Sequence, residues 1–443
     1  MGTQKTVQMK TLKFYILALL FSFGSGAFAQ QTPAAAQSEP ISIEGATIHL
    51  GNGEVIENGL IMFAEGKITF VGSANMKIAR IGTIIDAKGK HVYPGFIVPN
   101  STLGLVEIDA VRATDDDSEL GSWNPHIRSL IAYNAESKVV ESMRPNGVLI
   151  GQITPRGGRI AGTSSIVQFD AWNWEDAAIK TDDGVHMSWP NPFSRGRWWL
   201  GEDPALKENK EYNEQVREVE DYFTAAKAYS KGTDTEVNLP YKSVAGVLDG
   251  SKKLYINVDA EKAIIDAVNF TKSFGLDNVV IVGGYETYKV ADMLKEQNIP
   301  VLLTRVHSRP EQTDEDYDLP FKLAKLLTDA GVTVALQVSG QMERMNSRNL
   351  PFYAGTTVAH GLTKEQALQL ITSNTAKILG IDDQYGTLEV GKSATLFISE
   401  GDALDMRTNI IPKAFIDGRD LSLETHQTKL WKRYSGKLES QKK

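Results

Sequence analysis

The stretch from Leu254 to Val282, LYINVDAEKAIIDAVNFTKSFGLDNVVIV, decides the class of fold. It opens with a short apolar run, Leu254 to Val258, which is typical of a buried strand, and Val279 to Val282 repeats this pattern. Between the two runs, Glu261 to Phe274 carries apolar residues at helical spacing. A strand, a helix and a strand joined by short connections predict two parallel strands linked by a helical crossover.

The same unit recurs further along the chain. The predicted elements are a helix from Thr287 to Gln297, a strand from Val301 to Thr304, a helix from Leu319 to Ala330 and a strand from Val332 to Val338. Repeated strand–helix units predict an α/β protein with a parallel sheet. The repeats alone do not distinguish an open, doubly wound sheet from a closed barrel.

Both flanks of this region have the pattern of β structure. From Ile41 to about Val92, short apolar runs are separated by turn residues such as Gly51-Asn52-Gly53. Short β segments return after Gly386. We therefore expect a small β domain assembled from both ends of the chain.

The first residues have the pattern of a secretory signal peptide. Lys5, Lys10 and Lys13 precede a short apolar run, and Ala27-Phe28-Ala29 offers a cleavage site, so we predict a signal peptide over residues 1–29. A membrane anchor is the alternative, but the apolar run falls short of the ~20 residues that span a bilayer. The prediction is an exported protein, periplasmic or extracellular. Residues 30–40 are predicted to be a linker and residues 425–443 a polar, basic tail.

Composition excludes several classes of function. The chain has 443 residues, of which 42% are hydrophobic and 23% charged, as in globular proteins. The net charge is -8 and no basic run marks the folded part, so nucleic acid is not an expected partner. Because cysteine is absent, disulfides and thiolate metal sites are excluded.

Four segments carry a resemblance to a known family. They are Ala46-Thr47-Ile48 with Gly51-Asn52-Gly53, then Tyr93-Pro94-Gly95-Phe96-Ile97, then Gly355 to Leu379, and then Gly386-Thr387-Leu388-Glu389-Val390-Gly391-Lys392. The sequence resembles the amidohydrolase superfamily, nearest to secreted imidazolonepropionase-like members. This resemblance implies an α/β fold with a (β/α)8 TIM-like barrel over residues 95–384. A small β-sandwich domain would be assembled from residues 41–94 and 385–424.

The resemblance also implies a metal centre, and this sequence departs from it. Members of the family hold zinc or another divalent metal with histidines and a carboxylate at the carboxyl ends of the strands. Those positions fall on Asn100 and Thr102 after strand one, Asn257 after strand five, Gly283 after strand six and Ser339 after strand eight. The amide and hydroxyl groups of these residues are weak ligands for a transition metal, and glycine has no side-chain ligand at all. We therefore predict a degenerate site, with no cofactor unless the family activity is retained.

Three further features of the sequence are candidates for parts of a site. His307 follows predicted strand seven, where a structural hydrogen-bond donor is favoured over a metal ligand. Pro155 to Gly162 is rich in glycine and arginine and could cradle an anion, although a tight connection between strands is favoured. The Trp-rich loop 189–199 could be a ligand platform, although packing on the barrel is favoured.

Two functions remain open at this point. The first is a catalytically silent or impaired protein that binds a small polar ligand or a paralogous amidohydrolase subunit, without stable membrane insertion. The second is an active hydrolase of C–N bonds other than peptide bonds, in cyclic amides or dipeptide-like substrates, with unconventional metal ligands. Metal content distinguishes the two.

Overall fold

The computed structural model describes residues 32–203, 205–232 and 236–441. The described residues from Ala34 onward form one compact unit. The predicted signal peptide, residues 1–29, lies outside the described residues, so its cleavage and the export of the protein stay predictions.

Eighteen strands are present in the described residues. In chain order they are β1 (Ile41–His49), β2 (Val55–Ala64), β3 (Lys67–Ser73), β4 (Thr83–Asp86), β5 (His91–Pro94), β6 (Phe96–Ser101), β7 (Val148–Ile153), β8 (Ile160–Gln168), β9 (Ala178–Ser188), β10 (Phe193–Arg195), β11 (Leu206–Glu208), β12 (Lys253–Val258), β13 (Val279–Gly283), β14 (Val301–Leu303), β15 (Val334–Leu336), β16 (Leu396–Ser399), β17 (Lys413–Ile416) and β18 (Arg419–Asp420).

Twelve α-helices are present in the same residues. They are α1 (Lys138–Glu141), α2 (Trp174–Ala177), α3 (Tyr212–Lys231), α4 (Leu239–Leu248), α5 (Glu261–Phe274), α6 (Ala291–Glu296), α7 (Leu319–Ala330), α8 (Glu343–Asn346), α9 (Leu350–Ala359), α10 (Lys364–Gln369), α11 (Ser373–Leu379) and α12 (His426–Gln441). Short 3-10 helices cover Arg112–Thr114, Ser129–Ala132, Arg144–Asn146, Trp198–Leu200, Thr287–Val290 and Ser347–Asn349.

The first sheet joins strands from both ends of the described chain. Its order is β18-β17-β16-β5-β1-β2-β3, with β4 paired to β1. The junction is antiparallel, with Tyr93 of β5 opposite Phe397 of β16. A separate apolar core that includes Ile43, Phe63 and Phe415 lies on this sheet. Because apolar side chains from both chain ends share that core, neither end buries it alone.

The segment before β1 also contacts the fold. The backbone amide of Ala34 donates a hydrogen bond to Asp170 Oδ2 at 2.9 Å. The side-chain oxygen of Gln37 accepts one from the backbone amide of Gly66 at 2.8 Å. Part of the predicted linker therefore has fixed hydrogen-bond partners.

The second sheet has the eight-strand order expected of a barrel but not its uniform direction. Its order is β6-β7-β8-β9-β12-β13-β14-β15. The prediction of eight parallel strands is corrected at β8, which is antiparallel to both β7 and β9. Only six residues, 154–159, connect β7 to β8, which is too short for a helical crossover. Pro155 to Gly162 thus contains the tight connection that its glycines predict.

A turn between two short helices nearly closes this sheet. The carbonyl oxygens of Leu370 and Ile371 accept hydrogen bonds from Leu336 of β15 at 3.0 Å and from Ile97 of β6 at 2.9 Å. The residues from Lys364 to Leu379 therefore form two helices, α10 and α11, instead of one. The reason is that carbonyls inserted between the two edge strands cannot also continue the helical ladder.

The barrel interior is apolar at its amino-terminal end and polar towards its carboxyl end. Ile97, Ile150, Val280 and Leu302 pack together with side chains of α11. Helices that include α3, α5, α7 and α9 pack against the outside of the barrel in one large apolar core. No helix among the described residues is both long and apolar enough to cross a bilayer.

Candidate functional site

Asn100 lies at the carboxyl end of β6, at the mouth of the barrel. It is buried and adopts a left-handed backbone conformation with φ of 50°, which asparagine tolerates better than most residues. Its backbone amide donates to Gln152 Oε1 at 3.0 Å. Its side-chain oxygen and its carbonyl oxygen accept from the Arg156 guanidinium at 3.0 and 2.9 Å.

The same guanidinium forms an ion pair with Glu343 on α8. Arg156 Nη2 lies 3.2 Å from Glu343 Oε2, and the carboxylate is 7% exposed. Glu343 Oε1 also accepts from the backbone amide of Thr102 at 2.9 Å and from its hydroxyl. Charge-assisted hydrogen bonds of this kind are stronger than neutral ones. Arg156 and Glu343 therefore hold the two positions that follow the first barrel strand.

Ser339 joins this group through Gln337. The side-chain oxygen of Gln337 accepts from the backbone amide of Ser339 at 2.8 Å and from Asn100 Nδ2 at 3.3 Å. The structure therefore links Asn100, Thr102 and Ser339 in one hydrogen-bond network. The carboxylate that reaches this network is Glu343, four positions after Ser339 in the chain.

Asn257 and Gly283 are not part of that network. Asn257 Nδ2 donates to the carbonyl oxygen of Met187 at 3.2 Å. Gly283 has φ of +89°, and a Cβ added there would lie 2.6 Å from Asp259 Oδ1. A side chain at position 283 is therefore excluded on both grounds. These two predicted positions do not share a hydrogen-bond partner with Asn100.

A second polar group continues the network into the barrel. Gln152 Nε2 donates to Asp183 Oδ2 at 3.0 Å, and the Tyr255 hydroxyl donates to the same oxygen at 2.7 Å. Ser164 Oγ donates to Asp183 Oδ1 at 2.7 Å and lies 2.9 Å from His186 Nε2. The His186 ring stacks on Tyr255 with 4.4 Å between ring centroids. Three hydrogen bonds thus surround one buried carboxyl group.

Burial changes the titration of two members of this group. Desolvation raises the pKa of Asp183 above its ordinary value, although hydrogen bonds from Ser164, Tyr255 and Gln152 oppose the shift. Desolvation also places the pKa of His186 well below its ordinary value, and the positive charge of Arg156 acts in the same direction. His186 is therefore neutral at physiological pH.

The residues at the mouth do not fit a divalent metal. The described residues contain no group of three or more His, Cys, Asp or Glu side chains arranged to hold an ion. The acid in the network, Glu343, already pairs with a guanidinium. A metal would meet neutral amides and hydroxyls together with a fixed positive charge, which is the opposite of what the ion requires.

Sequence reasoning missed most of this network. The sequence places Arg156 only in a glycine-rich loop, and none of the motifs points to Glu343. One signal was available, because Arg156 follows one barrel strand and Glu343 follows another. Charged residues of opposite sign after two strands of one barrel are brought to the same mouth.

A cavity of about 440 Å³ lies among the loops that follow β12, β13 and β14. Asp259 follows β12 and Glu286 follows β13, and both line the cavity together with Glu311, Arg195 and Phe193. Desolvation and the nearby charge of Asp259 raise the pKa of Glu311. Three carboxylates against one guanidinium favour a ligand that carries positive charge.

The Trp-rich loop 189–199 both packs on the barrel and lines the cavity. Trp189 is buried and its indole N–H donates to the Tyr212 hydroxyl at 3.2 Å, so it packs on the barrel. Trp199 is 65% exposed, and Phe193 and Arg195 line the cavity. The loop therefore combines a packing anchor with one wall of the cavity.

His307 lies apart from the mouth network. Its Nε2 atom lies 2.8 Å from the Thr356 hydroxyl, and its ring contacts Tyr353 edge-on with 4.5 Å between ring centroids. No second histidine or carboxylate hydrogen-bonds to it among the described residues. Its contacts are those of a structural side chain.

Comparison with known proteins finds similarity to amidohydrolases in part of the sequence and in the fold. Residues 321–425 match the model of the amidohydrolase family. An amidohydrolase from Thermotoga maritima MSB8 has a similar structure, with a TM-score of 0.75 and 24% sequence identity. The match covers 86% of this chain and 99% of that one. The fold is similar to that of this amidohydrolase, and residues 321–425 have the sequence pattern of the amidohydrolase family.

Sequence comparison adds two curated relatives. An adenine deaminase of Clostridium botulinum (strain 657 / Type Ba4) is 22% identical over 395 residues, which are 86% of this chain and 57% of that protein. The amidohydrolase tasK of Hapsidospora irregularis is 35% identical over 119 residues, 25% of this chain. The chain spans 12% of the length of tasK and 57% of that of the deaminase.

Proposed function

We propose that this protein is a binding protein on the amidohydrolase fold that does not carry out metal-dependent hydrolysis. The observation that carries the proposal is the Arg156–Glu343 pair. Its guanidinium hydrogen-bonds to Asn100 and its carboxylate to Thr102, at the positions where the family resemblance expects two histidines. A cation supplied by the chain itself satisfies the carboxylate that could otherwise have held a metal.

The cavity beside the mouth is the proposed ligand site. It is formed by loops after neighbouring parallel strands, where barrel proteins place their sites. Its volume suits a small molecule, and its carboxylates favour an amine or another organic cation. Phe193 supplies an apolar wall for the uncharged part of such a ligand.

Elemental analysis of protein purified without chelators tests the absence of a resident metal. We expect zinc, iron, manganese and nickel each to lie far below one equivalent per chain. A screen of cyclic amides and dipeptide-like substrates on the same sample should show no hydrolysis above buffer. Stoichiometric metal together with hydrolysis would overturn the proposal in favour of an active hydrolase with unconventional ligands.

Calorimetric titration tests the ligand class. A small aliphatic diamine should bind the parent more tightly than the matching dicarboxylate does, and Glu311→Gln should weaken diamine binding. Glu208→Gln, at an exposed acid outside the cavity, is the matched control. Equal binding of the diamine and the dicarboxylate, or loss of binding in the control alone, contradicts a cation site.

The finer assignments belong to the same proposal. The family resemblance supports an imidazolonepropionase-like ancestry and the predicted signal peptide supports export from the cytoplasm, and we propose a paralogous amidohydrolase subunit as a candidate partner. A metal-free protein with a ligand cavity is compatible with either a free binding protein or a subunit that senses a ligand for an active partner.

A further inference from the structure

The terminal helix α12 has an unusual environment. It covers His426–Gln441, and none of its residues is buried. Its first residue is held to the barrel exterior, since the backbone amide of His426 donates to Glu141 Oε1 at 2.6 Å. A helix of this length in a globular protein normally buries one face.

One face of α12 is apolar. Trp431, Tyr434 and Leu438 are 69%, 55% and 59% exposed, and Leu430 is 37% exposed. At about 100° per residue, these four side chains fall within an arc of roughly 100°. The helix therefore presents a continuous apolar stripe to solvent.

The opposite face is basic. It carries Lys429, Lys432 and Arg433, while Lys437 lies at its border with the apolar stripe and Glu439 is the acidic residue of the helix. Lys432 and Lys429 lie 2.9 and 3.8 Å from Glu424, just before the helix. The whole chain has a net charge of -8, so this helix has the opposite sign to the rest of the molecule.

We propose that α12 is a reversible membrane-surface helix that docks on a bilayer containing anionic lipid. Trp, Tyr and Leu on one face with Lys and Arg on the other is the pattern of helices that lie in the headgroup region. Indole and phenol rings suit this region because each has an apolar body and a polar group. Acidic groups further than about 10 Å from the lipid are screened by salt and oppose docking little.

A bilayer fits these faces better than a second copy of the chain. An acidic copy would attract the lysines but would leave the apolar stripe on the other side of the helix uncovered. At a bilayer, the stripe enters the acyl boundary while the long basic side chains reach the phosphates. Both faces thus gain a partner from one surface.

Vesicle sedimentation of the full chain tests the proposal. Vesicles of phosphatidylcholine with about 30% phosphatidylglycerol should bind it at least about tenfold more tightly than pure phosphatidylcholine vesicles. About 0.5 M salt should weaken this binding. The double variant Trp431→Ser/Leu438→Ser and the double variant Lys432→Gln/Arg433→Gln should each lose most of it.

Trp172→Ser is the matched control, because Trp172 is an equally exposed tryptophan, at 64%, outside the helix. It should bind vesicles as the parent does. Helix content measured by circular dichroism shows whether the variants are folded. The proposal is overturned if the parent ignores anionic vesicles, if the Trp431/Leu438 variant binds as the parent does, or if the parent instead forms dimers that this variant abolishes.

Discussion

At the scale of single residues, the Arg156–Glu343 pair defines the mouth of the barrel. Glu343 is nearly buried, so removing its partner leaves a charge without compensation. We expect Arg156→Ala to lower the free energy of unfolding by about 2–3 kcal/mol in urea denaturation.

Two variants make this test specific. Arg159→Ala removes an arginine of the same loop that donates to the Ser188 carbonyl, and it should cost less than about 1 kcal/mol. Adding Glu343→Gln to Arg156→Ala should recover part of the loss because the buried charge is gone. If Arg156→Ala and Arg159→Ala cost the same, the pair does not stabilise the mouth.

His186 gives the protein a dependence of stability on pH. Its pKa is depressed in the folded state, so below the ordinary histidine pKa the unfolded chain binds a proton that the folded chain does not. Stability is therefore fully present above that pKa and falls as the pH falls below it, by up to about 1.4 kcal/mol per pH unit. Denaturation between pH 7 and 5 measures the slope.

His186→Gln should reduce that slope by the contribution of one proton, about 1.4 kcal/mol per pH unit at most. His426→Gln, which replaces an exposed histidine at the start of α12 by the same residue, is the matched control. An unchanged slope in His186→Gln would show that another group causes the pH dependence.

At the scale of elements, the β7–β8 connection turns the expected crossover into a hairpin. Gly158 has φ of +64°, and a Cβ there would lie 2.9 Å from the carbonyl oxygen of Ser122. We expect Gly158→Ala to destabilise the protein by about 2–3 kcal/mol, since strain and a backbone clash add together. Thermal unfolding of the purified variant measures the loss.

Gly201→Ala is the matched control for that change. Gly201 has φ of +76° and nothing within 4 Å of an added Cβ, so only the conformational cost remains. Its destabilisation should therefore be smaller than that of Gly158→Ala. Equal losses would mean that the contact with Ser122 relaxes without cost.

At the scale of the whole molecule, the sequence predicted the class of fold better than its details. The helix over Glu261–Phe274 is found at the predicted bounds. A tight connection within Pro155 to Gly162 was predicted, but the antiparallel direction of β8 and the break at Leu370–Ile371 were not. Both depend on contacts between residues distant in sequence, and hydrophobic periodicity reports only local geometry.

The candidate site shows the same limit. The resemblance located Asn100, Thr102 and Ser339, which the structure links in one network, because a family motif fixes strand ends. It did not locate Glu343 or Gln337. Their contacts with Asn100 and Thr102 join residues more than 200 positions apart in the chain, so they can be seen only in the folded structure. Asp183, in the middle of β9, was hidden for the same reason.

The residues at the mouth of the barrel also allow a test of whether their backbone positions can still form a metal site. Asn100→His/Thr102→His/Asn257→His/Ser339→Asp restores the family's ligand types, but Arg156 would still place a positive charge beside Asn100. Adding Arg156→Ala should therefore raise zinc affinity at least about tenfold over the quadruple variant, measured by calorimetry. If both folded variants bind zinc no better than the parent, these positions are not the remnant of a metal site.

The sheet shared by both chain ends has a consequence for synthesis. Strand β5 ends at Pro94, and its partner β16 begins at Leu396, so about 300 residues must leave the ribosome before the two strands can pair. Until then β5 has an open edge on which another chain can add a strand. In a nascent or proteolytically shortened chain that stops before β16, the amino-terminal strands should therefore aggregate, although their own sequence is intact.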